Sequence, residues 1–100
     1  MNMANINVPA DAIAEICKRY SASELSLFGS VLRDDFREDS DVDMLVVFKP
    51  ETRIGFMGLS RMRRDLAVAL GRSVDLVSKK GLHRVIRDEV LASARIIYAE

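Results

Sequence analysis

The chain has 100 residues, 49% of them hydrophobic and 30% charged, which suits one globular domain with a modest core rather than a disordered segment. Fifteen basic and fifteen acidic side chains cancel, so global charge gives no drive toward nucleic acid or a membrane surface. One cysteine excludes an internal disulfide and a cysteine-rich metal site, and with no apolar run near the ~18 residues of a membrane span and no secretory signal at the start, the expectation is a soluble cytoplasmic protein.

No repeat, linker or low-complexity stretch divides the sequence, so residues 1–100 read as one domain. Residues 1–8 read as a loose leader. Pro9 suits the first turn of a helix, and Ile13, Ile16, Cys17 and Tyr20 recur at helical spacing over residues 9–20. After a break at 21–23, residues 24–28 alternate as a short strand with Leu25 and Leu27 on one side. Gly29-Ser30 follows, and Ser30 is placed to cap a short helix reaching about Asp34. A polar, acidic loop leads to the apolar run 42–48, a strand stopped by Pro50. Leu59, Met62, Leu66, Ala69 and Leu70 make one face of a helix over about 54–70, with Gly71 as its stop. Residues 74–77 form a second buried strand, 82–91 a helix, and Ile96, Ile97 and Tyr98 an edge strand. This alternation argues for a sheet with helices packed against it. Strand directions stay open.

The chemistry rests on few residues. Asp41 and Asp43, two apart at the start of a strand, project from the same face. Close carboxylates raise each other's pKa unless a cation sits between them. Mg2+, held by one or two carboxylates plus substrate phosphates, is the natural partner. Nine aspartates give about 0.8 Asp-x-Asp pairs by chance, so the pair alone carries little. Gly29 lets backbone approach a ligand closely, and the N–H groups after it attract phosphate oxygens, with the Ser30 hydroxyl as a further donor. Arg33, one turn on, is placed to reach the same anion, or else to pair with the acidic loop. Asp75 stands inside Val74-Asp75-Leu76-Val77, where an ionised carboxylate needs either solvent or a partner. Three carboxylates converging from two strands would hold two Mg2+ ions, neutralise a triphosphate and let one carboxylate take the proton of an attacking hydroxyl.

Gly29-Ser30, Arg33 and Ser40-Asp41-Val42-Asp43, with ten residues between Ser30 and Asp41, resemble the minimal nucleotidyltransferase (MNT) branch of the DNA polymerase β-like superfamily. Asp75, after a Gly-Arg turn, falls where that family carries its third carboxylate, and the likeness covers roughly residues 24–99, with its motifs in 24–77. It implies an α/β (α+β) fold, a small mixed β-sheet with helices packed against it. It further implies that Asp41 and Asp43 ligate both magnesium ions. Asp75 would bind the catalytic ion and orient or deprotonate the acceptor hydroxyl. Gly29 and Ser30 would hold the β- and γ-phosphates of a nucleoside triphosphate, with Arg33 near them. Stand-alone chains of this length resemble the antitoxin of HEPN/MNT toxin–antitoxin pairs, which implies direct binding of a HEPN ribonuclease and transfer of AMP from ATP to its tyrosine. Many relatives have glycine directly after the arginine, where this chain has Asp34 and then Asp35.

Two other functions compete. One is a binding module that blocks its partner by occlusion, with an accessory metal site. The other is transfer to RNA or to a small molecule such as an aminoglycoside, for which relatives carry additional domains. Of the remaining residues, His83 reads as an exposed helix residue, Cys17 as core and the five methionines as packing. Arg61 and Arg64 share a helix face that reads as solvated, with docking of an acidic partner as the alternative. An exposed apolar face on the long helix would mark an interface; oligomeric state is open.

Overall fold

The computed structural model describes residues 2–3, 5–82 and 84–100, with side chains described within 5–82 and 87–100. The expectation for His83 lies outside the described residues, as do Met1 and Ala4 of the leader. In chain order the elements are β1 (Asn2–Met3), β2 (Ile6–Asn7), α1 (Ala10–Arg19), β3 (Ala22–Phe28), β4 (Val42–Phe48), α2 (Phe56–Leu70), β5 (Val74–Ser78), α3 (Arg84–Ser93) and β6 (Arg95–Ala99). Short 3-10 turns follow β3 (Gly29–Leu32) and β5 (Lys79–Gly81). The main sheet runs β5-β4-β3-β6. β4 and β5 are parallel, with α2 between them in sequence, and the other two pairings are antiparallel.

Alternation along the strands decides which face is covered. Leu25 and Leu27 of β3, Val42, Met44 and Val46 of β4, and Val74 and Leu76 of β5 join one core with Ile13, Ile16 and Cys17 of α1 and Met62 and Leu66 of α2. Fully burying one such side chain contributes about 1.5–3 kcal/mol, so α1 and α2 are held on that face by apolar area. Asp43, Leu45 and Val47, at the alternate positions of β4, point to the opposite face. Tyr20 ties the two helices at the rim by donating its hydroxyl to Asp65, at 2.6 Å.

The loose leader expected over residues 1–8 is corrected for its described residues. β1 and β2 pair antiparallel, and Ile6 and Val8 are buried in the main core. The side-chain amide of Asn5 donates to the carbonyls of Val31 and Arg33, at 2.8 and 2.6 Å. Two apolar residues at alternate positions, plus one amide, suffice to dock a segment that local periodicity marks as unstructured. Pro9 serves as the N-cap of α1 rather than in its first turn, and its carbonyl accepts the Ile13 N–H. β3 begins two residues before the expected strand, because Ser21 takes the left-handed turn (φ 60°) and Ala22 pairs with Phe48.

β4 matches its expected span, and α2 starts at Phe56 because Gly55, in extended conformation, is its N-cap. Gly71 ends α2 in the left-handed conformation, φ 66°. α3 lies two residues beyond the window 82–91, and β6 is the expected edge strand. Among the described residues no helix is long and apolar enough to cross a membrane.

Candidate functional site

The carboxylates sit where β4 and β5 begin. In the parallel register Asp43 lies directly beside Asp75, and in the antiparallel one it lies beside Phe28, the last residue of β3. The chain leaving β3 therefore passes across Asp43. Gly29 makes that passage possible. It has φ 75°, and a Cβ there would overlap the Asp43 carboxylate, whose Cγ is 3.3 Å away. Only glycine combines the left-handed conformation with that clearance. One residue on, the backbone N–H of Ser30 donates to the Asp43 carboxylate.

Asp43 is half-buried, whereas Asp41 and Asp75 are exposed. The Asp43 carboxyl is pushed above its ordinary 3.8, first by burial and then by the charges of Asp75 and Asp41. The Ser30 N–H and the Arg33 guanidinium pull it back only in part. Asp41 precedes β4 rather than opening it, and the Val42 N–H donates to the Ser73 carbonyl at 2.9 Å, tying the start of β4 to the start of β5.

One expectation is altered here. The Ser30 side chain does not cap a helix. Phe28 occupies the N-cap position of the 3-10 turn without a side-chain cap bond, and the Ser30 carbonyl accepts the Arg33 N–H. Arg33 pairs through Nε with Asp35 at 3.4 Å, both side chains exposed, and its charge also acts on the Asp43 carboxylate. Asp34 is not left-handed, since Ser21 and Glu51 are the non-glycine residues of positive φ among those described. An aspartate is therefore accommodated there without backbone strain.

Nor are the three carboxylates gathered into a finished metal cage. Among the described residues no three of His, Cys, Asp and Glu form a group able to hold an ion. Asp43 and Asp75, side by side at the starts of parallel strands, are oxygen donors of the type a hard divalent ion takes, and such an ion draws its remaining ligands from phosphates and water.

Arg72 and Asn5 are the positioning residues that the sequence reading passed over. Arg72 Nη2 donates to the Arg37 carbonyl at 2.6 Å, and its guanidinium lies 4.5 Å from the centroid of the Phe36 ring. Arg72, two residues before β5, thus clamps the loop before Asp41, while Asn5 clamps the turn after Gly29. The position of Arg72 in a Gly-Arg turn was visible, but the carbonyl it reaches is thirty-five residues away. The long helix exposes the apolar side chains Phe56, Met57 and Val68.

Residues 10–97 match the family model described as a nucleotidyltransferase domain. A protein adenylyltransferase of Thermococcus cleftensis is 38% identical over 77 residues, 77% of this chain and 76% of that one. A solved minimal nucleotidyltransferase is 37% identical, covering 86% of each chain with a TM-score of 0.72. The fold is shared, at 20% identity, with a chain from the complex of a tri-AMPylated HEPN toxin of Shewanella oneidensis with its MNT antitoxin. There the TM-score is 0.67, over 91% of this chain and 70% of that one.

Proposed function

The chain belongs to the nucleotidyltransferase domain family and is a nucleotidyltransferase; from that premise we propose that it transfers AMP from ATP, in a Mg2+-dependent reaction, to a hydroxyl of a partner protein. The partner is a HEPN-type ribonuclease toxin that the modification silences, which makes this chain its antitoxin. The observation that carries the reading is Asp43 in register with Asp75, beside a glycine backbone cleared to lie against the Asp43 carboxylate. The name of the Thermococcus relative supports AMP as the transferred group, and the AMPylated toxin of the Shewanella complex supports the class of acceptor.

In this reaction the acceptor oxygen bonds to the α-phosphorus, the bond from that phosphorus to its β-bridging oxygen breaks, and pyrophosphate leaves. Asp75, exposed at the strand start, takes the hydroxyl proton. Asp41 and Asp43 are the residues that would hold magnesium, which when bound neutralises phosphate charge. Gly29 and the Ser30 hydroxyl face the β- and γ-phosphates, and Arg33 exchanges the exposed Asp35 carboxylate for a phosphate. The test is label transfer from ATP labelled at the α- or the γ-phosphorus, with the HEPN-type partner co-purified. Label is expected on the partner from the α position only, and none with Asp43→Asn. Near-wild-type transfer by Asp43→Asn under matched conditions would end this reading.

The pairing of Arg33 with Asp35 favours a second reading, in which the chain neutralises its partner by occlusion. Full inhibition of the ribonuclease by stoichiometric Asp43→Asn would support that reading. Binding without inhibition would exclude it.

A further inference from the structure

The end of the sheet away from the carboxylates carries a concavity. Where the parallel strands β4 and β5 finish, a groove of about 600 Å3 opens. Val47, Phe48 and Ile54 supply its apolar lining, and the exposed Arg53, Lys79 and Lys80 stand around it. Lys49, also at the groove, is neutralised by Glu100 at 2.7 Å. Arg53, Lys79 and Lys80 have no ion pair among the described residues. Just past Ile54, the first two residues of α2 expose large apolar side chains, Phe56 at 87% and Met57 at 69%. Large apolar side chains exposed two and three residues past a groove-lining position extend the apolar surface that a docking partner could cover.

We propose that this groove and the Phe56–Met57 knob form a docking surface for an acidic amphipathic segment of the protein acceptor. The proposal rests on the reading that the acceptor is a protein. Charge complementarity selects the segment: three unpaired cations call for carboxylates, and the lining between them calls for an aliphatic or aromatic anchor. Phe, Met and Arg are also the residue types enriched at protein interfaces. A single-stranded nucleic acid would instead require a continuous basic track with successive stacking rings, whereas these cations cluster at one end of a chain of zero net charge. Asp43 and Phe48 are five residues apart on β4, roughly 17 Å at the strand rise. A docked helix of about eleven residues spans that distance, so the groove can hold a partner while leaving the carboxylate end free for its hydroxyl.

The test omits nucleotide and magnesium. The full chain is titrated into a fluorescein-labelled amphipathic helix with Glu on one face and Leu and Phe on the other, and anisotropy is read. Lys79→Glu with Lys80→Glu is expected to weaken binding at least about tenfold. The matched reversal Arg61→Glu with Arg64→Glu, on the solvated face of α2, is expected to stay within about twofold of wild type. Phe56→Ser with Met57→Ser is expected to weaken binding about fivefold with its salt dependence intact. No saturable binding, equal losses from the two charge reversals, or tighter binding of a uridine-rich RNA strand would each overturn the proposal. Circular dichroism of each variant verifies folding. Asp43→Asn should bind the peptide as wild type does, so a failed docking surface and a failed transfer reaction give separate results.

Discussion

Gly29 and Gly71 share a left-handed backbone, φ 75° and 66°, but not their surroundings. A Cβ on Gly71 meets nothing within 4 Å, so Gly71→Ala carries backbone strain alone, about 1 kcal/mol. At Gly29 the same strain applies, and the new methyl also collides with the Asp43 carboxylate, whose Cγ is 3.3 Å from the Cβ position. That carboxylate must turn away and lose the Ser30 N–H. A hydrogen bond to a charged group is worth about 1.5–3 kcal/mol. Partial solvation, and relief of repulsion from Asp75, reduce that to about 1 kcal/mol here. Gly29→Ala is therefore expected to cost about 2 kcal/mol, twice the cost of Gly71→Ala. The difference of about 1 kcal/mol corresponds to about 4–8 °C in Tm for a domain of this size and is resolved by urea denaturation. In an Asp43→Ala background the obstructing carboxylate is gone, and the cost of Gly29→Ala should fall to that of Gly71→Ala. Equal costs in the wild-type background, or a gap that survives Asp43→Ala, would refute the reasoning.

Asp43 should also mark its site through pH. Burial, Asp75 and Asp41 raise its pKa above the ordinary 3.8, so the folded state holds this proton more tightly than the unfolded chain. Its ionisation therefore lowers stability, a cost absent below pH 3.8 and complete once the pH exceeds the raised value. Asp43→Asn, which keeps an oxygen for the Ser30 N–H, should raise the urea midpoint at about pH 7 and leave it unchanged at about pH 3; a lowered midpoint at neutral pH would contradict this. Arg72→Ala removes both the bond to the Arg37 carbonyl and the contact with Phe36, and should cost about 1–2 kcal/mol. Hydrogen exchange should quicken across residues 36–40, and unchanged protection there would argue against the clamp. Cys17 is fully buried, and burial pushes its thiol up to about 11, so a thiol reagent should label it only after denaturation. Prompt labelling of the native protein would place it outside the core.

Local pattern made much of this protein legible. The run 42–48 is apolar at every position but Asp43, so its strand and the odd residue on its open face could both be read directly. The helical spacing from Leu59 to Leu70 and the glycine after it identified α2 and its end, because a left-handed stop requires little beyond the absence of a Cβ. The spacing of Gly29-Ser30, Asp41 and Asp43 was enough to indicate the nucleotidyltransferase family, since a motif is local by construction. The relations between distant segments are different in kind. That Asp75 stands beside Asp43 depends on the parallel register of two strands separated by α2. Residues 5–8 dock because Ile6 and Val8 find space in a core built by other elements. Ser30 contributes its backbone rather than a helix cap because Asp43 lies across the turn, and Arg33 meets Asp35 while Arg72 reaches Arg37. Periodicity and turn chemistry act over a few residues and are written in the chain itself. Register, burial and charge pairing depend on which surfaces meet, and only the packed tertiary structure decides that.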